Sequence, residues 1–225
     1  MEAHWKGHRE RLRKRFRENG FTSLHDYEAL ELLLFYAVPR RDVKPLAKRL
    51  IADFGGFRGV LDGSPGDLMK VPGVGENAVL LFRLVKDFGS AYLKEQALAG
   101  EHVSSTEELE KYCMASMGGL KDELFSVIYL NAQNRIIRVE PIQEGTVNQA
   151  VVHPRKILEK ALYLKASAMI LVHNHPSGNL RPSEADIRLT RAVQEGARIL
   201  DVAIHDHLII GGNRCLSFRK EGLLS

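Results

Sequence analysis

Residues 168–211 constrain the fold more than any other stretch. "AMILVHN" (168–174) is a short, almost wholly apolar run of strand length, and "VAIHDHLIIGG" (202–212) is another. Between them "SEADIRLTRAVQEGARIL" (183–200) repeats its apolar residues at helical spacing. Short apolar runs bounded by Gly- and Pro-containing segments read as buried strands, and the long periodic one reads as an amphipathic helix. Strands alternating with helices predict a sheet covered by helices. Upstream, "LFSVIYLN" and "RIIRVEPIQ" read as strands joined at the polar turn "AQN", and "HPRKILEKALYL" reads as a helix. "STEELEKYCMA" reads as a helix opened by a capping box of Ser105 with Glu108. A short terminal strand or helix completes this half.

The first half has a different character. "HRERLRKRFREN" reads as a helix stopped by Gly20, and "SLHDYEALELLLFYAV" as a second, with Ser23 as its cap and Pro39 beyond its end. "KPLAKRLIADF", "SPGDLMKV" and "ENAVLLFRLVKDFGSAYLKEQAL" continue the helical series without strand-like alternation. The expected division is therefore a small all-α domain over 1–100 and an α/β domain over 101–225. No apolar run approaches the roughly 20 residues of a membrane span, and the charged N-terminus lacks the apolar stretch of a secretory signal. Cys113 and Cys215 are the only cysteines and form no C-x-x-C pair, which suggests reduced thiols and a cytoplasmic protein without a thiolate metal site.

"ILVHNHPSGNLRPSEAD" (170–186) carries the chemistry. His173 and His175 stand two apart at the end of a strand, so both imidazoles project to one face. Asp186 offers a carboxylate from the first turn of the next helix. Two imidazole nitrogens and one carboxylate oxygen suit zinc and leave its fourth position to water, whose pKa such a site lowers to about 7. Each piece also has a plain structural explanation: a hydrogen-bonded surface pair for the histidines, and a capping box for Ser183 with Asp186. The two explanations meet, since a cap at Ser183 puts Asp186 where a strand-end histidine pair can use it. A second His-x-His, His205 and His207, has no carboxylate at a comparable distance and reads as structural support, not as ligands.

His173-x-His175-Pro176, Ser183 and Asp186 together resemble, without a gap, the JAMM motif H-x-H-P-x(6)-S-x(2)-D of MPN-domain metalloproteases. "HNHPSG" and "DHLIIGG" resemble the bacterial RadC family, as do "HRERLRKRF" and "LLLFYAVPRRDVKPLAKRL" in one branch of it. The resemblance implies an MPN/JAMM-like domain, a mixed sheet covered by helices, with one Zn2+ per chain on His173, His175 and Asp186. It also implies that Ser183 stabilises an oxyanion and that a glutamate on an earlier strand takes a proton from water. Glu140, inside a strand, is preferred to Glu144, which abuts Gly145. Asn174 stands where isopeptidases carry Ser or Thr, which bears on the substrate.

"LMKVPGVGENAVLLFRLV" (68–85) resembles the helix-hairpin-helix motif of DNA-repair and recombination proteins. Gly73 and Gly75 can take positive φ, and backbone N–H groups at the next helix start can hold a phosphate oxygen. Val71, Gly73, Val74 and Gly75 are the candidate DNA-contacting residues; a tight turn used for packing, or a protein-binding module, is the rival explanation. Seven basic residues against one acidic between Lys6 and Arg17, within a net charge of +4, invite a polyanion, although a solvated helix face is the commoner meaning of such a run.

The expected function is a zinc-dependent hydrolase of an amide or isopeptide bond. Protein or peptide is the expected substrate and non-specific DNA backbone the expected partner, with DNA repair a family-level association. The alternatives are a metal-dependent nuclease and a non-catalytic DNA-associated scaffold. A zinc deaminase would need His-x-Glu and Pro-Cys-x-x-Cys, both missing here.

Overall fold

The computed structural model describes residues 5–39, 41–99, 106–142 and 152–224. The chain divides into two compact units, Met1–Phe88 and Gly89–Ser225.

The first unit is helical: α1 (Trp5–Asn19), a short 3-10 turn (Phe21–Ser23), α2 (Asp26–Ala37), α3 (Lys44–Phe54), α4 (Phe57–Asp62), α5 (Pro65–Met69) and the start of α6 (Glu76–Ala99). Leu30, Leu34, Phe35, Ala47, Leu50, Val60, Leu68 and Phe82 form its core. Two details differ from the sequence expectation. Ser23 does not cap α2; its hydroxyl donates back to the Gly20 carbonyl at 2.8 Å. The helix starts after His25, whose N–H donates to the Glu28 carboxylate at 3.0 Å. The six-residue α4, bracketed by Gly56 and Gly63, is too short to show helical periodicity, yet it buries Val60 completely.

Within this unit part of the basic run of α1 is engaged at home. The buried Arg9 guanidinium donates to the carbonyls of Val38 and Pro39, at 2.7 Å each, and of Arg41, just past the end of α2. Arg15 pairs with Glu28, and Arg17 with Glu10.

The second unit holds α7 (Thr106–Met117), β1 (Phe125–Leu130), β2 (Ile136–Pro141), α8 (Pro154–Tyr163), β3 (Ala168–Asn174), α9 (Glu184–Ile199), β4 (Ala203–Gly211) and β5 (Arg214–Ser217). Their order in the sheet is β2-β1-β3-β4-β5. The β3–β4 pair is parallel and the other three pairs are antiparallel, so the sheet is mixed. A parallel pair needs a crossover, and α9 supplies it. All seven residues of β3 are buried because the strand is central and covered on both faces. On one face Met169 and Leu171 pack with Ile157 and Ala161 of α8 and Val193 and Ala197 of α9. On the other, Ala168, Ile170 and Val172 pack with Leu109, Cys113 and Met117 of α7. Strand alternation therefore sends His173 toward the α8/α9 face and Asn174 toward the opposite one. Ser105 and Glu144 fall outside the described residues. No described helix is long and apolar enough to cross a membrane.

Candidate metal centre

The site assembles where β3 ends. His173 is its penultimate residue, 1% exposed, and His175 follows, its own N–H held by the Ile210 carbonyl of β4 at 2.8 Å. Backbone contact shapes the loop after them. A Cβ on Gly211 would lie 2.9 Å from the Gly178 carbonyl oxygen and 2.8 Å from Leu180, so only glycine lets β4 press against this loop.

Asp186 arrives from the first turn of α9. Ser183 is the N-cap: its hydroxyl accepts from the Asp186 N–H at 3.1 Å and donates to Asp186 Oδ2 at 2.7 Å, while the Ser183 N–H donates to the same oxygen at 2.7 Å. This reciprocal cap fixes the carboxylate. Its oxygens lie 3.4 Å from His173 Nε2 and 3.6 Å from His175 Nε2. Burial works to raise the Asp186 pKa, but hydrogen bonds involving His173 and Ser183 outweigh it and hold the group well below the usual carboxylate range. Ser183, expected to stabilise an oxyanion, also aims this carboxylate.

The fourth member is a residue that sequence reasoning missed. One potential ligand atom from each of Glu123, His173, His175 and Asp186 lies within 4.8 Å of the others. Glu123 sits just ahead of β1, whose first residue, Phe125, pairs with His173. Asn174 holds that segment from the far face of β3. Its Oδ1 accepts from the Leu124 N–H at 2.8 Å, and its Nδ2 donates to the Asp122 carbonyl at 3.1 Å. The backbone on both sides of Glu123 is thereby pinned. Glu123 precedes its strand where Glu140 lies within one; Asn174 between the histidines was the available signal, though it marked the backbone clamp and not the carboxylate.

Glu140 requires a correction. It pairs in register with Val127, which pairs with Leu171, two strands and two residues away from His173. Ideal sheet spacings make that roughly 12 Å between backbones. Its carboxylate is held instead by Lys160 Nζ at 2.7 Å. The structure does not bring Glu140 into the cluster.

The donor set fits a cation. His175 Nδ1 lies 2.6 Å from the Asn179 carbonyl, which can only accept, so Nδ1 carries the proton and Nε2 the lone pair. That lone pair lies 3.0 Å from His173 Nε2. Tetrahedral sites with bonds of 2.0–2.1 Å space their ligand atoms about 3.3 Å apart. The separations of 3.0, 3.4 and 3.6 Å straddle that figure.

His205 and His207 separate at a register shift opposite Met169 and Ile170. His205 reaches Asn134 at 2.7 Å, on the far side of the sheet from the site. His207 is fully buried behind the cluster, with Nε2 at 2.8 Å from His173 Nδ1 and Nδ1 at 2.6 Å from Thr190 Oγ1. Burial, reinforced by His173, drives its pKa well below the ordinary histidine range. Cys113 is buried and Cys215 half-buried; burial raises both thiol pKa values, Cys215 to about 12, so neither offers a thiolate.

In the helical unit, Val71, Gly73, Val74 and Gly75 form the connection from α5 to α6. Val71 is buried and Val74 packs against the same core. Gly73 takes φ 101°, which L side chains rarely adopt, and Gly75 accepts from the Ala78 and Val79 N–H groups at the start of α6.

Comparison with known proteins agrees over both units. Residues 103–223 match the RadC-like JAB domain, and residues 4–80 match the family described as UPF0758 N-terminal. A UPF0758 protein of Rhodobacter capsulatus is 45% identical over 213 residues, which is 95% of this chain and all of the relative. One of Ruegeria pomeroyi is 42% identical over 224 residues, covering both chains completely. With its mixed sheet and a histidine-carboxylate cluster at the end of the central strand, the chain belongs to the RadC-like JAB domain family, with a UPF0758 N-terminal region ahead of that domain.

Proposed function

We propose that the second unit is a zinc-dependent hydrolase that cleaves an amide or isopeptide bond. The observation that carries this reading is the convergence of Glu123, His173, His175 and Asp186. His173, His175 and Asp186 would hold the ion, two nitrogens and one oxygen being a donor set suited to zinc. Zinc bound there would supply Lewis acidity toward a carbonyl and acidify water.

The remaining steps belong to the chain. Glu123 enters from a separate segment and is exposed, whereas His173 is buried and His175 and Asp186 are partly buried. A solvent-facing carboxylate beside three sequestered donors is placed to accept a proton from water at Oε and return it to the leaving amine. Asn174 holds Glu123 by its backbone, and Ser183 keeps Asp186 ionised and oriented.

An amide is favoured over a phosphodiester by the carboxylate count. Dedicated nucleases often use two metals on clustered carboxylates, and the described residues hold no second such cluster. The test is incubation of zinc-loaded protein with fluorogenic peptide and isopeptide substrates and, in parallel, labelled single- and double-stranded DNA. Amide release that depends on zinc and falls about 10²- to 10⁴-fold in Glu123→Gln is expected. Cleavage of DNA alone, lost in His173→Ala, would replace this reading with the nuclease.

For the helical unit the proposed partner is DNA backbone, gripped at the 71–75 turn. Gly73 at positive φ leaves that turn uncluttered, and Gly73 and Gly75 are exposed. Because α1's cations are partly paired within the unit, affinity should be modest and fall steeply with salt. Fluorescence anisotropy with duplexes of unrelated sequence checks this: equal, salt-sensitive binding supports the assignment, and no binding at low salt removes it.

A further inference from the structure

His207, set aside by its sequence context, lies at the centre of a buried chain of hydrogen bonds that begins and ends on ligand-bearing residues. Thr190 Oγ1 is 2.6 Å from the Asp186 carbonyl oxygen, His207 Nδ1 is 2.6 Å from Thr190 Oγ1, and His207 Nε2 is 2.8 Å from His173 Nδ1. Three elements contribute: Thr190 from α9, His207 from β4 and His173 from β3.

The proton positions along this chain follow from what each atom can do. A backbone carbonyl only accepts, so the Thr190 hydroxyl must donate its single proton to Asp186. Its oxygen then faces His207 as an acceptor, and His207 must carry its proton on Nδ1. A neutral imidazole protonated at Nδ1 is a bare acceptor at Nε2. That acceptor meets His173 Nδ1, so His173 must donate from Nδ1. With its Nδ1–H turned outward to His207, His173 presents Nε2 to the cluster, 3.0 Å from the His175 lone pair and 3.4 Å from Asp186.

We infer that Thr190 and His207 form a proton-ordering relay that holds a proton on His173 Nδ1, so that Nε2 is the nitrogen aimed into the cluster and able to give an ion its lone pair. They are positioning residues acting through His173; neither touches the ion or the substrate. This deepens the proposed function and rests on its metal site. Both side chains are almost wholly buried, so solvent cannot substitute for either partner. Outer hydrogen bonds of this kind typically change metal affinity by roughly 10- to 100-fold.

The experiment has two readouts. Two-dimensional ¹H–¹⁵N NMR of histidine-labelled, metal-free protein at pH 8 reports the His173 tautomer. Competition against a chromophoric chelator reports zinc affinity in the wild type, Thr190→Val, Thr190→Ser and His207→Ala. Thr190→Val matches the shape of threonine and keeps the test valid should His207→Ala fail to fold. The expected result is Nδ1–H at His173 in the wild type, a roughly 10- to 100-fold loss of zinc affinity in Thr190→Val, and rescue by Thr190→Ser. A His173 Nδ1 that carries no proton in the wild type, or wild-type zinc affinity in Thr190→Val, would overturn the relay. Wild-type protein that takes up no zinc would remove the metal reading, while the tautomer measurement still decides the relay.

Discussion

Asn174 grips the peptide groups on both sides of Glu123: its amide oxygen accepts from the Leu124 N–H, and its amide nitrogen donates to the Asp122 carbonyl. One side chain between two candidate ligand histidines thus pins, from the opposite face of the sheet, the backbone that carries the fourth residue of the cluster.

Replacing Asn174 separates its two bonds. Asn174→Asp can still accept from Leu124 but cannot donate to Asp122, whereas Asn174→Ala loses both. A buried polar group left unpaired costs about 1–3 kcal/mol, and a buried carboxylate facing the Asp122 carbonyl costs at least as much, so thermal unfolding should place both variants below the wild type. Hydrolytic turnover should fall further than zinc affinity, because Asn174 acts on Glu123 and not on the ligands. Equal losses in both quantities would argue against that division of labour.

Glu123 and Glu140 should behave differently. Glu123→Gln is expected to retain zinc and lose activity by about 10²- to 10⁴-fold. Glu140→Gln removes the pairing with Lys160 and should leave activity intact, with a stability change within about 1 kcal/mol for a partly exposed pair. Steady-state kinetics on both variants, with bound zinc measured in each, is the check.

The difference between these two glutamates shows where the sequence was informative. The strands, the covering helices and the His173, His175 and Asp186 juxtaposition are local: strand period, cap chemistry and short spacing encode them, whereas the mixed sheet was implied by the family resemblance. Glu123 is 50 residues upstream of His173, and only the antiparallel β1–β3 register brings it close. Choosing a base by asking which glutamate lies inside a strand favoured Glu140, although the glutamate that joins the cluster lies just before one. The sequence read His205 and His207 alike as support and not as ligands; the β4 register shift breaks simple alternation and gives the two rings different surroundings.

Ser183→Ala should act twice. Loss of an N-cap hydroxyl costs about 0.5–2 kcal/mol of stability. The same change frees Asp186 Oδ2 from one of its two donors, so zinc affinity should weaken as well. Ser183→Thr, which keeps the hydroxyl, should restore both; chemical denaturation and chelator competition measure the two effects.

Gly211→Ala tests how closely β4 meets the metal loop. The added Cβ would lie 2.9 Å from the Gly178 carbonyl oxygen and 2.8 Å from Leu180, so the loop must move. A destabilisation of about 1–3 kcal/mol with reduced zinc affinity is expected. A variant with unchanged unfolding temperature and zinc binding would show that this contact does not hold the loop.

The helical unit carries its own pH dependence. Burial opposes ionisation of Glu28, but the Arg15 hydrogen bond and the His25 N–H outweigh it and lower its pKa in the folded state. As pH falls into the ordinary carboxylate range the unfolded chain takes up the proton first, which favours unfolding. The stabilisation is complete above that range and is lost as pH drops through the depressed folded value. Thermal unfolding from pH 7 to pH 3 should show the wild type converging on Glu28→Gln at the acid end.

The most direct measurement is metal content per chain after exhaustive chelation, zinc addition and removal of free ion. The account predicts one zinc in the wild type and in Glu123→Gln, and essentially none in His173→Ala, His175→Ala or Asp186→Ala. Wild-type protein that stays metal-free, or ligand variants that retain a full equivalent of zinc, would contradict it.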